Sequence, residues 1–564
     1  MKRTNSESQH QYGSDNYSRR SFLVTAGGAV LGSSILGFAS SGSWLAADVL
    51  ESDGEKLIKP AGKTAFAQPG KEYNILDYGA IEGGTTLNTE AIQITINEAS
   101  RNGGGRVVIP EGKFLTGTIE LKSNVHLYLE ENSTLLGSTH PDNYYSLEMP
   151  GRPETPKKDD NSQLALLVAF KADDISITGK GTIDGQGRTL ALTIDSLHHS
   201  GERIDEDYRY ERMRPSPLVR PKLIRFSMCE TVAFKGVTFK NPANWGLSFE
   251  LCTNLLLDNL VIKNLAYWNN DGIDVTDSRD VTITNCDVNA ADDGICLKSY
   301  YPGYYNDSIY IANNTIRSSA SAVKFGTASY GGFRNIVIEN IKVYDTYRSA
   351  IALESVDGGF IENIKVSNIL AENTGNAIFI RLGHRGGEKP GVVRNIRISD
   401  VKVEVPFIRP DINYELRALE VRVHHNPFPA SIVGIPGHFV QDIELENIQI
   451  TYPGRASKGK AYMPLNRLKQ VPEKTGEYPE FSMFGELPSW GFYVRHAKGI
   501  SMRNITLSLE DKDFRPAFVF DDVVGIDLDQ INLPKEKKTN QIILKDVSGF
   551  KLNPLNENLV KTVE

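Results

Sequence analysis

The chain has 564 residues, too many for one compact core, so it suits either several domains or a repeat fold. Its composition is that of a globular protein, with 40% hydrophobic and 23% charged residues. The formal net charge of −8 excludes the basic footprint of a nucleic-acid-binding protein, and we expect no nucleic-acid partner.

The N-terminal segment predicts export. Arg19 and Arg20 stand before an apolar stretch rich in Gly, Ala and Ser, which is typical of a twin-arginine signal. A membrane anchor is the alternative, but the Gly and Ser residues make the stretch weakly hydrophobic for a spanning helix. We therefore expect a signal over 1–47, a linker over 48–70, and a periplasmic or secreted protein without stable membrane insertion once the signal is removed.

The next segment, 71–180, predicts an N-terminal cap and the first coils of a solenoid. Thr89 to Ala99 shows helical spacing, with Ile92, Ile96 and Ala99 on one face. We expect this helix to cap the open N-terminal end of the core.

A short pattern of alternating apolar residues, followed by Asn or a turn, recurs along the rest of the chain. The first apolar residues of seven successive copies lie 23 to 32 residues apart: Val232, Leu255, Val281, Ile309, Ile336, Ile364 and Ile396. The copies show strand alternation with β-branched residues and no helix pattern. This period predicts an all-β fold, a right-handed parallel β-helix solenoid, with coils roughly 4.8 Å apart.

The repeat assigns 223–535 to the β-helix core and 536–564 to a C-terminal coil and tail, in a protein that we expect to be a monomer. Asn241 and Asn264 occupy matching positions and predict an amide ladder in a turn. Cys229 and Cys252 also match. Buried thiols are favoured for the four cysteines, although an exported protein could oxidise a neighbouring pair.

The pattern breaks over 181–222, where a charged stretch rich in Tyr and Arg predicts a loop insertion. The long gaps from Ile396 to Ile443 and from Ile443 to Ile500 predict further projecting loops. Insertions into a solenoid tend to gather on its binding face.

Three acidic residues are the strongest chemical signal. Alignment of the coils places Asp271 over Asp293, with Asp292 beside them, on one exterior patch. Like charges at this range predict that one carboxyl keeps its proton while others ionise. Glycoside cleavage needs that division, because a protonated acid serves the leaving oxygen and a carboxylate activates water or attacks. A polar turn and a calcium site with oxygen ligands are the alternatives.

The motifs around these acids resemble family 28 of the glycoside hydrolases, the polygalacturonase family. Asn269-Asn-Asp271 resembles the family's Asn-Thr-Asp motif, and Ala291-Asp292-Asp293 resembles its Gly-Asp-Asp motif. The spacing between the motifs also agrees. The similarity runs from about Tyr73 to at least Asn363 and includes Asp77-Tyr-Gly-Ala and Gly181-Thr-Ile-Asp-Gly.

The resemblance implies a right-handed parallel β-helix that hydrolyses its substrate with inversion and without a metal or other cofactor. Carried over by motif, Asp292 would be the general acid. Asp271 and Asp293 would together deprotonate the attacking water. The implied partner is a pectic polysaccharide or oligosaccharide, of the galacturonan or rhamnogalacturonan type.

Two family motifs are missing. The His of Gly-His-Gly is replaced by Ser321, and the Arg and Lys of Arg-Ile-Lys are replaced by Ala352 and Glu354. The Arg-Lys pair grips a substrate carboxylate in the family, whereas a Glu would repel one. These losses shift the expectation from plain polygalacturonan toward a branched or mixed polymer.

Other residues are candidates for binding substrate in place of that pair. The alternative is a solvated surface charge for Lys324, Arg348 and Arg381, a salt bridge with the acids for Lys298, and turn packing for Trp268. The candidates are Lys298, Lys324, Arg348, Arg381, Asn269 and Trp268.

Two other functions compete with hydrolysis. A polysaccharide lyase on the same fold would use a cation, often calcium, and a Lys or Arg base such as Lys324. A non-catalytic sugar-binding solenoid would explain the missing His and Arg-Lys pair as lost activity. Unsaturated product would reveal a lyase, and indifference to Asp292→Asn would reveal a binding protein.

Overall fold

The structure is a computed structural model that describes residues 70–156, 162–411, 424–459 and 461–564. The predicted export signal, and the linker up to residue 69, lie outside the described residues. Within the described part of the chain, no helix is long and apolar enough to cross a membrane.

The described chain is a right-handed parallel β-helix, as the repeat predicts. One sheet of 31 strands winds through the molecule, and a short antiparallel pair stands apart from it. The first strands are β1 (Glu72–Asn74), β2 (Gly105–Ile109), β3 (Gly112–Thr116), β4 (Ile119–Glu120), β5 (Val125–Leu129), β6 (Ser133–Gly137), β7 (Ala165–Phe170), β8 (Asp173–Gly179), β9 (Thr182–Asp184), β10 (Tyr208–Arg209) and β11 (Arg214–Pro215).

The regular middle of the molecule has short strands. They are β12 (Lys222–Ser227), β13 (Glu230–Lys235), β14 (Thr238–Lys240), β15 (Leu247–Glu250), β16 (Thr253–Asp258), β17 (Val261–Asn264), β18 (Ile273–Thr276), β19 (Arg279–Thr284), β20 (Asp287–Ala290), β21 (Ile295–Ser299), β22 (Asn306–Ala312), β23 (Thr315–Ser318) and β24 (Val323–Ser329).

In the last coils the strands continue around the corners and become long. They are β25 (Gly332–Ser355), β26 (Phe360–Leu382), β27 (Val392–Glu404), β28 (Ala430–Val433), β29 (Val440–Tyr452), β30 (Phe492–Leu509), β31 (Phe518–Asn532), β32 (Ile542–Asn553) and β33 (Val560–Val563).

Each middle coil contributes one strand to each of three stacked faces. Strands β12, β15, β18, β21 and β24 pair in parallel on one of them, called the site face here. Its inward column is apolar and fully buried: Phe226, Phe249, Val275, Leu297 and Phe325. One coil cannot bury such a side chain alone, so the stack itself creates the core.

Asparagine ladders do form, but at other corners than predicted. Asn363 Nδ2 donates to Asn335 Oδ1 over 3.1 Å, and Asn395 Nδ2 donates to Asn363 Oδ1 over 2.7 Å. All three have positive φ, which Asn tolerates better than most residues. The prediction for Asn241 and Asn264 is wrong, because Asn264 Nδ2 donates instead to the carbonyl of Asp271.

Two α-helices accompany the strands in the described residues. Helix α1 (Thr89–Arg101) lies where predicted and buries Ile92, Ile96 and Ala99 in the core of the first coils, while its role as a cap stays a prediction. Helix α2 (Gly187–His199) lies in the segment 181–222, which was predicted to be loop. It forms because Leu190 and Ile194 share one face and are buried.

All four cysteines are buried free thiols, the favoured alternative. Cys229 and Cys252 stand on neighbouring coils, as the register of β13 and β16 requires.

Candidate active site

Asp271 and Asp293 lie on adjacent coils, just before strands β18 and β21. Ile273 pairs with Ile295 in the parallel register, and Gly272 N donates to the carbonyl of Asp293 over 2.9 Å. The predicted stacking of these two acids is therefore present. Asp292 precedes Asp293 directly, which brings all three acids to one place.

The glycine after each stacked acid is required by the next coil. A Cβ on Gly272 would lie 2.4 Å from the carbonyl oxygen of Gly294, and a Cβ on Gly294 would lie 2.6 Å from that of Ala322. Both distances are far below van der Waals contact, so only glycine lets the coils approach here. The repeated Asp-Gly-Ile phrase thus combines a functional side chain with a packing need.

The sequence predicts that the three acids lie on one exterior patch. That prediction is wrong in one respect, because two of the three side chains are buried. Asp271 is 3% exposed and Asp293 is 5% exposed. Lys298 Nζ lies 3.1 Å from Asp271 and 2.7 Å from Asp274, and Lys324 Nζ lies 3.0 Å from Asp293. These five residues are called the buried acid cluster below.

The buried acid cluster holds two of its three aspartates, Asp271 and Asp293, in different ionisation states. Burial raises the pKa of Asp293, but Lys324, Lys298 and Arg348 outweigh it and bring that pKa down to about 2. Burial and the neighbouring Asp274 carboxylate raise the pKa of Asp271 well above its ordinary value, against the opposing effect of Lys298. Asp293 therefore stays ionised in conditions under which Asp271 can hold a proton.

Asp292 differs from the other two acids because it opens into a cavity of about 1080 Å³. Its side chain is half-buried, and Trp268 and Asn269 from the preceding coil line the same cavity. One wall comes from the 181–222 insertion. Further lining comes from 405–410, 424–428 and 477–483.

The walls carry a concentration of arginines. Arg209, Arg212 and Arg214 project from the insertion, and Arg348 and Arg409 lie on the other side. Arg409 pairs with Asp411 and packs 4.0 Å from the ring of Tyr347. Arg214 packs 4.2 Å from the ring of Trp268. The cavity is therefore suited to an anionic ligand.

The structure places three of the predicted substrate-binding residues in the cavity wall: Trp268, Asn269 and Arg348. Asn269 has positive φ, and its Oδ1 accepts from Arg220 over 2.8 Å, which fixes the corner before Asp271. Trp268 presents one ring face to Arg214 and so is not a bare platform for stacking a sugar.

The other three predicted substrate-binding residues are not in the wall. Lys298 and Lys324 are buried among the aspartates, which corrects the prediction of a substrate contact. For Lys298 the salt-bridge alternative is confirmed, whereas for Lys324 the alternative of a solvated surface charge is wrong as well. Arg381 is 0% exposed and donates to the carbonyls of Gly434, Glu473 and Lys474. Its predicted contact with substrate is wrong, because its guanidinium anchors the connection between β29 and β30.

The substituted family positions, Ser321, Ala352 and Glu354, are buried and do not line the cavity. Glu354 is buried, and its Oε2 lies 3.9 Å from Lys324 Nζ. Burial raises the pKa of Glu354 to about 7, despite the nearby Lys324. The sequence predicts that Glu354 repels a substrate carboxylate. Burial of Glu354 and its protonation both weaken that repulsion.

Sequence reasoning missed the insertion arginines and Tyr478, which all line the cavity. Tyr478 also touches the buried acid cluster, because its hydroxyl accepts from Lys324 Nζ over 3.1 Å. The signal that could have found the arginines is their density in an insertion next to the acids. Tyr478 comes from a segment without periodicity and carries no such signal.

Within the described ranges, no group of three or more His, Cys, Asp or Glu side chains is arranged to hold a metal ion.

The family model for glycosyl hydrolases family 28 matches residues 100–458. A probable polygalacturonase of Vitis vinifera is 26% identical over 355 residues, covering 62% of this chain and 65% of that protein. An exo-poly-alpha-D-galacturonosidase of Dickeya chrysanthemi is 28% identical over 334 residues, covering 52% and 54%. The chain thus spans between about half and two thirds of the length of these curated relatives.

Solved structures share the fold. The family 28 exopolygalacturonase of Yersinia enterocolitica aligns with a TM-score of 0.59 at 20% identity, covering 83% of this chain and 78% of that one. The exopolygalacturonase of Thermotoga maritima aligns with a TM-score of 0.54 at 24% identity, covering 70% and 92%. Because the family match covers more than half of the chain and includes the coils that carry the acids, the chain belongs to family 28 of the glycosyl hydrolases.

Proposed function

We propose that the protein hydrolyses glycosidic bonds of a pectic polysaccharide or oligosaccharide, of the galacturonan or rhamnogalacturonan type, with inversion. The names of the two curated relatives support galacturonan as the polymer. The arginines of the cavity wall support an acidic substrate.

The observation that carries the proposal is the position of Asp292. It is the member of the acid trio that reaches the cavity, and two further aspartates lie directly beneath it. A sugar bound in the cavity can contact Asp292 directly, so this carboxyl is placed to protonate a leaving oxygen.

Asp271 and Asp293 would then act together on water. Asp293 is kept ionised by Lys324 and so can accept the proton of the attacking water, whereas Asp271, with its raised pKa, helps to hold that water in place. Inversion follows when this water attacks the face of the sugar opposite the leaving group.

A lyase is less well supported. Its base would be a neutral Lys or Arg, but Asp293, Tyr478 and Glu354 raise the pKa of Lys324 well above its ordinary value, against the effect of burial. A lysine held in its charged form is a poor base.

Asp292→Asn is the direct test. It should reduce release of reducing ends from polygalacturonate by roughly a hundredfold to ten-thousandfold, the usual contribution of a general acid. The matched control is Asp287→Asn, which makes the same change at an exposed position of the coil surface and should leave the rate unchanged.

Two other readouts separate the alternatives. Nuclear magnetic resonance of the fresh product should show the inverted anomer first. Ultraviolet absorbance from unsaturated sugar would establish a lyase instead. If Asp292→Asn cleaves as fast as the parent protein, Asp292 is not the acid and the proposal fails.

The proposal includes export by the twin-arginine route, supported by Arg19, Arg20 and the apolar stretch after them. A polysaccharide substrate is encountered outside the cytoplasm, which suits a periplasmic or secreted enzyme. We propose that it acts as a monomer.

A further inference from the structure

Arg214 is a buried cation that interacts with the carboxylate of Asp292 without forming a close ion pair with it. It is 8% exposed, and its Nε has no hydrogen-bond partner. Among the residues that the structure describes, it forms no ion pair, and its guanidinium lies flat against Trp268. Arg212, two residues earlier, is exposed at the cavity edge.

Arg348 faces the same cavity from farther along the stack. Its Nε is also buried without a hydrogen-bond partner, and its nearest carboxylate is that of Glu480, 3.6 Å away. Arg348 precedes Ser349, which stands three coils beyond Asp271 in the same column. At about 4.8 Å per coil, the Arg348 coil and the Trp268 coil are roughly 14 Å apart.

Asp292 lies between these two groups along the stack, because its coil follows that of Trp268 and precedes that of Arg348. One arginine group therefore stands on each side of the bond that Asp292 would protonate. At this spacing the two arginine groups would each bind a different anionic group of the ligand. They are too far apart to bind the same one.

A guanidinium with an unsatisfied donor, held out of water, is unfavourable in the unoccupied protein. Burial and the nearby Arg212 lower the pKa of Arg214 to about 10, so it remains charged at neutral pH. Planar guanidinium groups match the two oxygens of a carboxylate or sulfate. Because both arginines line the cavity, a ligand that brings such oxygens can satisfy these donors.

We propose that Arg214 with Arg212 on one side, and Arg348 on the other, bind the anionic groups of the two sugars that flank the cleaved bond. They take over the role of the Arg-Lys pair that is absent at Ala352 and Glu354. The inference rests on the proposed function. The shared chemistry is a sugar bearing a carboxylate or a sulfate ester.

Binding to the Asp292→Asn protein, measured by calorimetry, tests this without turnover. The ligands are trigalacturonate, the same oligosaccharide with its carboxyls reduced to alcohols, and a sulfated galactose trisaccharide. Arg214→Gln and Arg348→Gln should each weaken trigalacturonate binding roughly tenfold to a hundredfold, as expected for hydrogen bonds to a charged group. Neither should weaken binding of the reduced oligosaccharide.

The matched control is Arg188→Gln, which removes a charge from an exposed arginine of the same insertion outside the cavity wall. It should bind all three ligands like its parent. Tighter binding of the sulfated ligand than of trigalacturonate, lost in the same variants, would identify sulfate as the anion and support the site.

Trigalacturonate binding unchanged in both Arg214→Gln and Arg348→Gln overturns the inference. Should Arg214→Gln not fold, Arg214→Lys, Arg212→Gln and Arg348→Gln decide it, since Arg212 is exposed and Arg214→Lys keeps the charge. Arginine-dependent binding without any bond cleavage by the parent protein would instead reject the hydrolase proposal and leave the anion site standing.

Discussion

The buried acid cluster and the arginines of the cavity wall are built in opposite ways. In the cluster every lysine has a carboxylate within 3.1 Å, so the charges neutralise one another inside the protein. In the wall, Arg214 and Arg348 keep donors that no described residue satisfies. The difference indicates that both lysines of the cluster are paired with carboxylates before substrate arrives, whereas these two arginines of the wall still have donors to offer a ligand.

The largest expected effect comes from breaking the cluster. Lys298→Met removes the ammonium group that pairs with both Asp271 and Asp274. The two buried carboxylates then lose this ion-pair partner. Loss of one partner of a buried pair costs about 3–5 kcal/mol, and Asp271 should take up a proton more readily. Chemical denaturation and the pH dependence of the rate measure the two effects.

The control is Lys342→Met, on the coil surface, where Lys342 and Glu372 are 4.0 Å apart and more than half exposed. That change should cost about 0–1 kcal/mol. Equal destabilisation by the two substitutions would contradict the claim that the cluster is a closed set of charges.

A smaller effect should appear in the pH dependence of stability. The pKa of Glu354 is raised from 4.5 to about 7 in the folded protein. Between these values the folded protein keeps a proton that the unfolded chain releases, so stability falls as pH rises. At 1.36 kcal/mol for each unit, the loss approaches about 3 kcal/mol above pH 7.

Glu354→Gln should remove this fall, because an amide does not titrate. Unfolding midpoints of both proteins between about pH 4.5 and 8 should diverge as pH rises, with the variant the more stable at the upper end. A constant difference across that range would show that Glu354 ionises normally.

The smallest expected effect lies where the wall meets the cluster. Tyr478→Phe removes the hydroxyl that accepts from Lys324 and should cost about 1 kcal/mol, because Lys324 keeps Asp293. The change should raise KM for trigalacturonate more than it lowers kcat. The control is Tyr462→Phe, which makes the same change at an exposed tyrosine. If Tyr478→Phe lowers kcat more than it raises KM, Tyr478 takes part in the chemical step instead.

The positions of the acids could be predicted from sequence because they depend on register alone. Once the coils are aligned, Asp271 must stand over Asp293, and Lys324 must share a column with Asp274. Burial could not be predicted in the same way. It depends on what covers the site face, and the covering segments have no repeat.

The errors follow from that limit. Arg381 was correctly aligned with Glu354, yet its contacts come from Glu473 and Lys474, more than 90 residues away in the chain. Helix α2 was missed because the repeat pattern ends where the helix begins. The arginine wall was missed because a charged insertion seen alone resembles solvated loop.

Arg381 has one further consequence. It fastens the 453–489 connection through main-chain oxygens, which neither gain nor lose protons, and its own charge persists because burial lowers its pKa only to about 10. Acidification therefore changes the protonation of the aspartates without breaking these hydrogen bonds of Arg381. The connection is thus held at this point whatever the protonation state of the acids.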